Sequence, residues 1–249
     1  MGDVVELRRV SKRFGSLLVI EDLSFTLSEG QALGVVGPNG AGKTTMLNLV
    51  AGDFRPTSGD VIFDGRTVTK LAAHARCRAG IGRTSQIPRP FEGLTVFENV
   101  LAGATFGEPG RRRPETEEAA VAALAVAQLA DKANVPARSL TLLERKRLEL
   151  ARALATSPRL LLLDEIAGGL TEVEVEHLVA TIKQIRESGV SVIWIEHIVH
   201  ALLSVVDRLL AMDYGRVLLE GDPHEVMASR EVQDIYLGVE IEQDAEPAG

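Results

Sequence analysis

Apolar and polar positions alternate along much of the first sixty-odd residues. "VVELRRV" (4–10), "EDLSFTLS" (21–28) and "GDVIFDG" (59–65) read as strands, and "QALGVVG" (31–37) as a more fully apolar one. A Gly-rich turn follows, and "KTTMLNLVAG" (43–52) predicts a helix. From about Gly93 to Thr156 the period turns helical: "FENVLAGATFG" (97–107), "PETEEAAVAALAVAQLA" (114–130) and "ERKRLELARALAT" (144–156). Pro114 followed by Glu115, Glu117 and Glu118 suits the start of a helix, where negative charge meets the positive end of the dipole. The stretch "AAVAALAVAQLA" (119–130) is apolar nearly all round, which predicts a helix buried against its neighbours rather than in lipid. Beyond Pro158 strands return as "LLLLDE" (160–165), "VSVIWIEH" (190–197), "RLLAMD" (208–213) and "GRVLLEGD" (215–222). Helices around 171–188 and 198–206 alternate with them, the pattern of a mostly parallel sheet wrapped by helices.

Bulk properties narrow the class without changing that picture. A chain of 249 residues can bury one large core or two modest ones. Lys and Arg number 27 against 35 Asp and Glu, a formal charge of −8, which argues against broad electrostatic capture of nucleic acid. The single cysteine, Cys77, excludes an intrachain disulfide and any multi-cysteine metal site, as in a reducing cytosol. The charged start "MGDVVELRRV" is unlike a signal peptide, and no run approaches the ~18 apolar residues of a membrane span, so the chain is expected to be soluble. The end "EIEQDAEPAG" is acidic and expected to fray.

Two motifs carry chemistry. "GPNGAGKTT" (Gly37, Pro38, Asn39, Gly40, Ala41, Gly42, Lys43, Thr44, Thr45) matches G-x-x-x-x-G-K-[ST] and lies between a strand and a helix. There the glycines let backbone N–H groups wrap phosphates, Lys43 reaches the β and γ phosphates, and the Thr44 hydroxyl enters a Mg²⁺ shell. Lys43 is expected to be exposed and so to matter little to packing. "LLLLDE" ends a buried strand in two carboxylates, placing Asp164 to hold Mg²⁺ and Glu165 to deprotonate an attacking water.

With these motifs the chain resembles an ABC transporter ATP-binding subunit over almost its full length. The spacing, "GRTSQIPRPFEGLTVFENV" and the closing "YLG" are similar to the first of the two ATPase subunits of branched-chain amino-acid importers. The resemblance implies a P-loop α/β core with an N-terminal antiparallel β region, a cassette over 1–240 with a helical subdomain near 87–157, and a tail at 241–249. It implies that Phe14 of "KRFG" stacks on adenine, that Gln86 touches Mg²⁺ and senses the membrane subunit, and that His197 contacts the γ-phosphate. Lys43, Glu165 and His197 are then catalytic, with Thr44, Gln86 and Asp164 around the metal. His74, His177, His200, His224 and Cys77 receive no role.

The resemblance also exposes departures. Where the family has a serine-and-glycine signature that grips the opposing subunit's γ-phosphate, this chain has Leu140, Thr141, Leu142, Leu143 and Glu144. Leucine side chains intrude where backbone must approach an anion, and Glu144 adds a negative charge. Ile166 stands where proline is usual, and Thr171 where the family has Asn or Asp. The implied assembly sits at the cytoplasmic face of the inner or plasma membrane. It comprises a second ATPase subunit, with a heterodimer favoured, integral membrane permease subunits docked near Gln86 to Asn99, and indirectly a solute-binding protein. Part of the segment that carries Phe91, Leu94, Val96 and Phe97 is expected to line a docking groove, the alternative being that all four pack the helical subdomain. Subunits of lipopolysaccharide exporters resemble the sequence nearly as well. A regulatory ATP-binding module with weak hydrolysis is a further alternative; the charge and the lack of a long coiled-coil insertion disfavour DNA-repair ATPases.

Overall fold

The computed structural model describes residues 2–107 and 110–235. Two long strands, β1 (Asp3–Phe14) and β2 (Leu17–Ser28), form an antiparallel hairpin, and β4 (Ser58–Phe63) and β5 (Arg66–Thr67) extend it to a four-stranded sheet in the order β2-β1-β4-β5. The second sheet has six strands in the order β10-β9-β3-β8-β7-β6. Its strands β3 (Ala32–Val36), β6 (Ile81–Arg83), β7 (Leu160–Asp164) and β8 (Ser191–Ile195) run parallel, and β9 (Arg208–Asp213) joins β3 in parallel. Only the edge hairpin β9–β10 (Arg216–Gly221) is antiparallel. β3, β7 and β8 are buried at every position, as expected of strands covered on both faces.

Two apolar layers flank the six-stranded sheet. One fills the space between the sheets around α1 (Lys43–Ala51), with Leu33, Val35, Met46, Leu47 and Leu162 fully buried. The other lies beneath α6 (Glu172–Glu187) and α7 (Val199–Leu203), centred on Trp194 with Leu161, Leu178 and Ile182. A short helix α2 (Ala73–Ala79), which the periodicity does not reveal, precedes β6, and α8 (Pro223–Ala228) follows β10.

Helices α3 (Val96–Gly107), α4 (Arg113–Val126) and α5 (Leu142–Leu154) build a layer with its own core of Val96, Val100, Ala104, Leu124 and Leu148. At Gly103 the backbones of α3 and α5 nearly touch, since a Cβ there would fall 2.5 Å from the Arg152 carbonyl oxygen. α4 packs against its neighbours, as expected, but along one side. Ala120, Ala123 and Leu124 are buried, but Val121 is 56% exposed and Ala122 and Ala125 face outward, so the helix buries one side only. Alanine fits both sides because it costs nothing in helix propensity and presents little apolar area to water. The tail 241–249, the limit of the expected domain at 240 and the "YLG" at 236–238 lie outside the described residues.

Candidate functional site

The strand-to-helix turn at 37–45 opens directly into α1, whose N-cap is Gly42 with φ 98°. That left-handed conformation favours glycine, and Ile20 and the Val19 carbonyl crowd the position as well. The first N–H groups of α1 have no acceptor within the helix and point with the helix dipole toward the turn. Lys43 is not the exposed side chain expected from sequence. It is 6% exposed, and its ammonium donates to the carbonyl oxygens of Gly37 at 2.6 Å and Pro38 at 2.9 Å. Burial lowers its pKa, while Glu165 and Asp164 nearby oppose that shift.

β7 carries Asp164 to the same end of the sheet. The Thr44 hydroxyl donates to Asp164 Oδ1 at 3.4 Å, and Arg83 reaches Oδ2 at 3.3 Å. Asp164 is 1% exposed, and burial raises its pKa against the lowering influence of Arg83. The next residue, Glu165, has φ 48° and donates its N–H to the Ile195 carbonyl of β8 at 2.9 Å. This sparsely populated backbone conformation sits where the chain must turn a carboxylate back over the phosphate loop. Two of the expected site residues converge on it: Gln86 Nε2 donates to Oε2, and His197 Nε2 lies 2.8 Å from Oε1.

Residues that the sequence reading passed over hold this arrangement. Glu196, 2% exposed, accepts the N–H of His197 at 2.9 Å and of Ala167 at 3.0 Å, tying the two loops that carry His197 and Glu165. Lys146 of α5 is buried in the fields of Glu196 and Glu165, and burial lowers its pKa. An ionisable residue beside a candidate histidine, as in "IEH", was the available signal for Glu196. Ile166 is buried in the apolar layer under α6, and Thr171 caps α6 reciprocally with Glu174, which accounts for what both departures do in the fold.

Phe14 lies at the end of β1, 42% exposed, with its ring edge-on to Phe54 at 5.1 Å between centroids. Lys12 Nζ lies 4.7 Å from the Phe14 centroid.

The segment 141–144 forms the first turn of α5. Thr141 is the N-cap; its hydroxyl accepts the Glu144 N–H at 3.4 Å, and Glu144 Oε2 accepts the Thr141 N–H at 2.9 Å. Glu144 also pairs with Lys132. Burial pushes the Glu144 carboxyl up, but the Lys132 and Thr141 bonds together hold it below its ordinary value. The negative charge expected to repel an anion is therefore folded back and neutralised. Leu142, 44% exposed, packs beside Gly169, and Leu143 is half-buried. Leu142 and Leu143 thus occupy the helix end itself, while the Glu144 charge is paired with Lys132.

A groove of about 510 Å³ lies between α2, β6 and the helical layer, lined by Asp53, Cys77, Arg83, Phe91, Phe106 and Arg152 among others. Phe91 is half exposed under the Arg152 guanidinium at 4.9 Å, and Phe106 is 71% exposed. Of the four candidates in the segment expected to supply part of a docking groove, Phe91 lines this one. Val96 is fully buried and Phe97 packs with it in the helical layer, where a first-turn helix position is taken up by the core. Leu94 is exposed outside the groove lining. Asn99 fixes the loop, accepting the Phe91 N–H at 2.8 Å and donating to the Phe91 and Thr95 carbonyls.

A nucleotide-binding loop, a carboxylate pair and a partnered histidine at one sheet end agree with comparison to known families, because the ABC transporter family model matches residues 20–168. The chain belongs to the ABC transporter family. It is 35% identical to the high-affinity branched-chain amino acid transport ATP-binding protein BraF of Pseudomonas aeruginosa, covering 94% of this chain and 98% of the relative. It is 34% identical to the lipopolysaccharide export system ATP-binding protein LptB of Acidithiobacillus ferridurans, covering 96% and 98%. Among solved structures, the ADP conformation of MJ1267, an ABC transporter cassette, superposes with a TM-score of 0.86 at 25% identity, over 96% of this chain and all of that one. The dimeric cassette MJ0796 superposes with a TM-score of 0.79 at 26% identity, over 88% and 98%. The protein is thus an ATP-binding, ATP-hydrolysing subunit of an ABC transporter, of a class that dimerises and works with membrane permease subunits.

Proposed function

We propose that this subunit powers import of a small polar solute such as a branched-chain or other amino acid, with ATP held by the loop 37–45 and adenine resting on Phe14. The observation that carries the catalytic reading is the position of Glu165, between Gln86 and His197 and beside the buried Lys43. Glu165 takes a proton from the attacking water, Lys43 and the α1 N-terminus neutralise charge on the phosphates, and His197 fixes the γ-phosphate. Lys43 leaves its two carbonyl partners as the phosphates arrive.

The oxygens of Thr44 and Asp164, 3.4 Å apart, fit Mg²⁺, a hard cation that combines one carboxylate with water and phosphate oxygens, and Gln86, bonded to the adjacent Glu165, would complete its surroundings. Among the described residues no group of three His, Cys, Asp or Glu could hold a metal. When bound, Mg²⁺ would neutralise charge developing on the transferred phosphoryl group.

The exposed Phe91 and Phe106 in the groove fit an apolar helix of a permease subunit. No described helix is long and apolar enough to cross a membrane; the place proposed for the subunit is peripheral, at the cytoplasmic face, bound through the permease. Leu142 and Leu143 at the first two helical positions of α5 favour a heterodimer, in which another ATPase subunit supplies the unobstructed signature. Export of a lipopolysaccharide-type substrate is the second reading, favoured by the likeness to LptB. Co-purification with permeases and a solute-binding protein, followed by ATPase assay in vesicles with and without the loaded binding protein, separates the two. Stimulation by the loaded binding protein supports import; stable assembly without any binding protein, and no stimulation, counts against it.

A further inference from the structure

Arg83 ends β6, paired in register with Leu162 of β7, and its side chain turns back beneath α1. One face of its guanidinium fork, Nη1, donates to Asn48 Oδ1 and to Asp53 Oδ2, both at 2.5 Å. The other arm, Nη2, reaches Asp164 Oδ2 at 3.3 Å. Asp53 and Arg83 line the groove, whereas Asp164 lies in the nucleotide site. Asn48 is itself a knot: its carbonyl accepts the N–H groups of Gly52, Asp53 and Phe54 where α1 ends. From that end the connection continues into the groove wall. The fully buried Arg76 of α2 donates to the carbonyls of Leu49 at 2.6 Å and Val50 at 2.9 Å, and the next residue is Cys77.

We propose that Arg83 is a positioning residue that couples the groove wall to the carboxylate of the nucleotide site. A planar fork can hold two carboxylates in a fixed relation, which a point charge on a flexible stem cannot. The longest of its three bonds is the one to Asp164, so the link yields at that end when Asp164 turns to nucleotide and metal. The fork then resettles on Asp53 and Asn48 and shifts the end of α1, and Arg76 passes the shift to α2. By linkage the effect is reciprocal: whatever settles in the groove and displaces Asp53 alters the hold on Asp164. Spatial contiguity does not by itself demonstrate coupling, so the test is energetic. The meaning of the coupling for transport rests on the reading of the groove as a permease-docking site, but the test below uses the isolated chain and does not depend on it.

Cys77 is the only cysteine and lies in the groove wall, so its rate of reaction with a small uncharged maleimide reports on that wall without added labels. The rate is measured on the purified full chain with ADP and EDTA, and with ADP and Mg²⁺, with ADP binding measured separately. In the unmodified protein the metal should change the Cys77 rate about fivefold, the lower range of typical coupling. In Arg83→Met, Arg83→Lys and Asp53→Asn that change should fall below about twofold while ADP still binds, and thermal melting establishes which variants are folded. Arg159→Met serves as control, since Arg159 also bridges two carboxylates, Glu29 and Asp64, away from the site, and it should keep the change. A merely structural Arg83 would alter the basal rate but leave the metal-dependent change intact. The proposal is overturned if the unmodified chain shows no metal-dependent change, or if a folded variant at Arg83 or Asp53 retains it. Should Arg83→Met not fold, Arg83→Lys and Asp53→Asn decide the matter. Failure of docking would show instead as absent crosslinks in the assembled transporter.

Discussion

His197 Nε2 lies 2.8 Å from Glu165 Oε1, so the histidine that follows β8 and the carboxylate that follows β7 are direct partners. The pair orients the Glu165 carboxylate. Replacement by an amide preserves the shape and hydrogen bonding but removes the base. Glu165→Gln should therefore bind ATP normally, hydrolyse it about 10²–10⁴ times more slowly, and accumulate as a nucleotide-held dimer. Single-turnover assays and size-exclusion chromatography check this; unmodified turnover would remove Glu165 from the role of base.

Lys43→Ala should abolish ATP binding, because the ammonium that reaches the phosphates is gone. Since Lys43 is buried and satisfies two carbonyls, the variant should also melt a few degrees lower, a drop of about 1–2 kcal/mol, rather than being neutral. Calorimetric titration with ATP and thermal melting read the two effects separately.

Leu142 and Leu143 occupy the first turn of the α5 helix end, whose Thr141–Glu144 cap is already closed. Replacing both leucines with glycine should raise turnover of the isolated chain, by up to about 10²–10³ if a full set of anion donors is restored, provided the protein dimerises. The assembled transporter should change much less, because another subunit's signature serves the active site there. No gain in a demonstrated homodimer, or rapid hydrolysis by the unmodified chain alone, would defeat the heterodimer argument.

Phe91 and Phe106 face the groove while Val96 is sealed within the helical layer. A photo-crosslinking residue at 91 or 106 should join to a permease subunit in the assembled transporter, and one at the exposed Val121 of α4 should not. Only intramolecular products from 91 and 106 would place docking elsewhere.

Arg76 is a buried cation bonded to four backbone carbonyls, those of Leu49, Val50, Thr69 and Leu71. Burial lowers its pKa to about 10. Arg76→Met should destabilise the fold by about 2–4 kcal/mol by leaving those carbonyls unpaired, lowering the melting temperature by about 5–15 °C. A melting temperature within a degree of the unmodified protein would mean that water replaces the guanidinium at no cost.

The sequence by itself determined the elements whose cause is local. The phosphate loop, the apolar strand before it and the helix after it depend on residues within a few positions, as does the strand ending in Asp164 and Glu165. Resemblance extended this to Phe14, Gln86 and His197, of which Gln86 and His197 meet at Glu165 in the folded chain. Periodicity could not decide which side of the alanine-rich α4 is buried, because alanine carries too little area to mark a face. Only the tertiary structure joined residues far apart in the chain. It placed Glu196 under two loops, Arg83 between Asn48, Asp53 and Asp164, and Lys132 against Glu144. It also buried Lys43, whose ammonium meets the Gly37 and Pro38 carbonyls of its own loop in the field of Asp164 and Glu165 from the distant end of β7. Such contacts are set by the order in which strands meet in the sheet, where β3, β8, β7 and β6 lie side by side although paired residues such as Ala32 and Val192, or Ile81 and Leu160, are far apart in the chain, and no local pattern of hydrophobicity encodes that order.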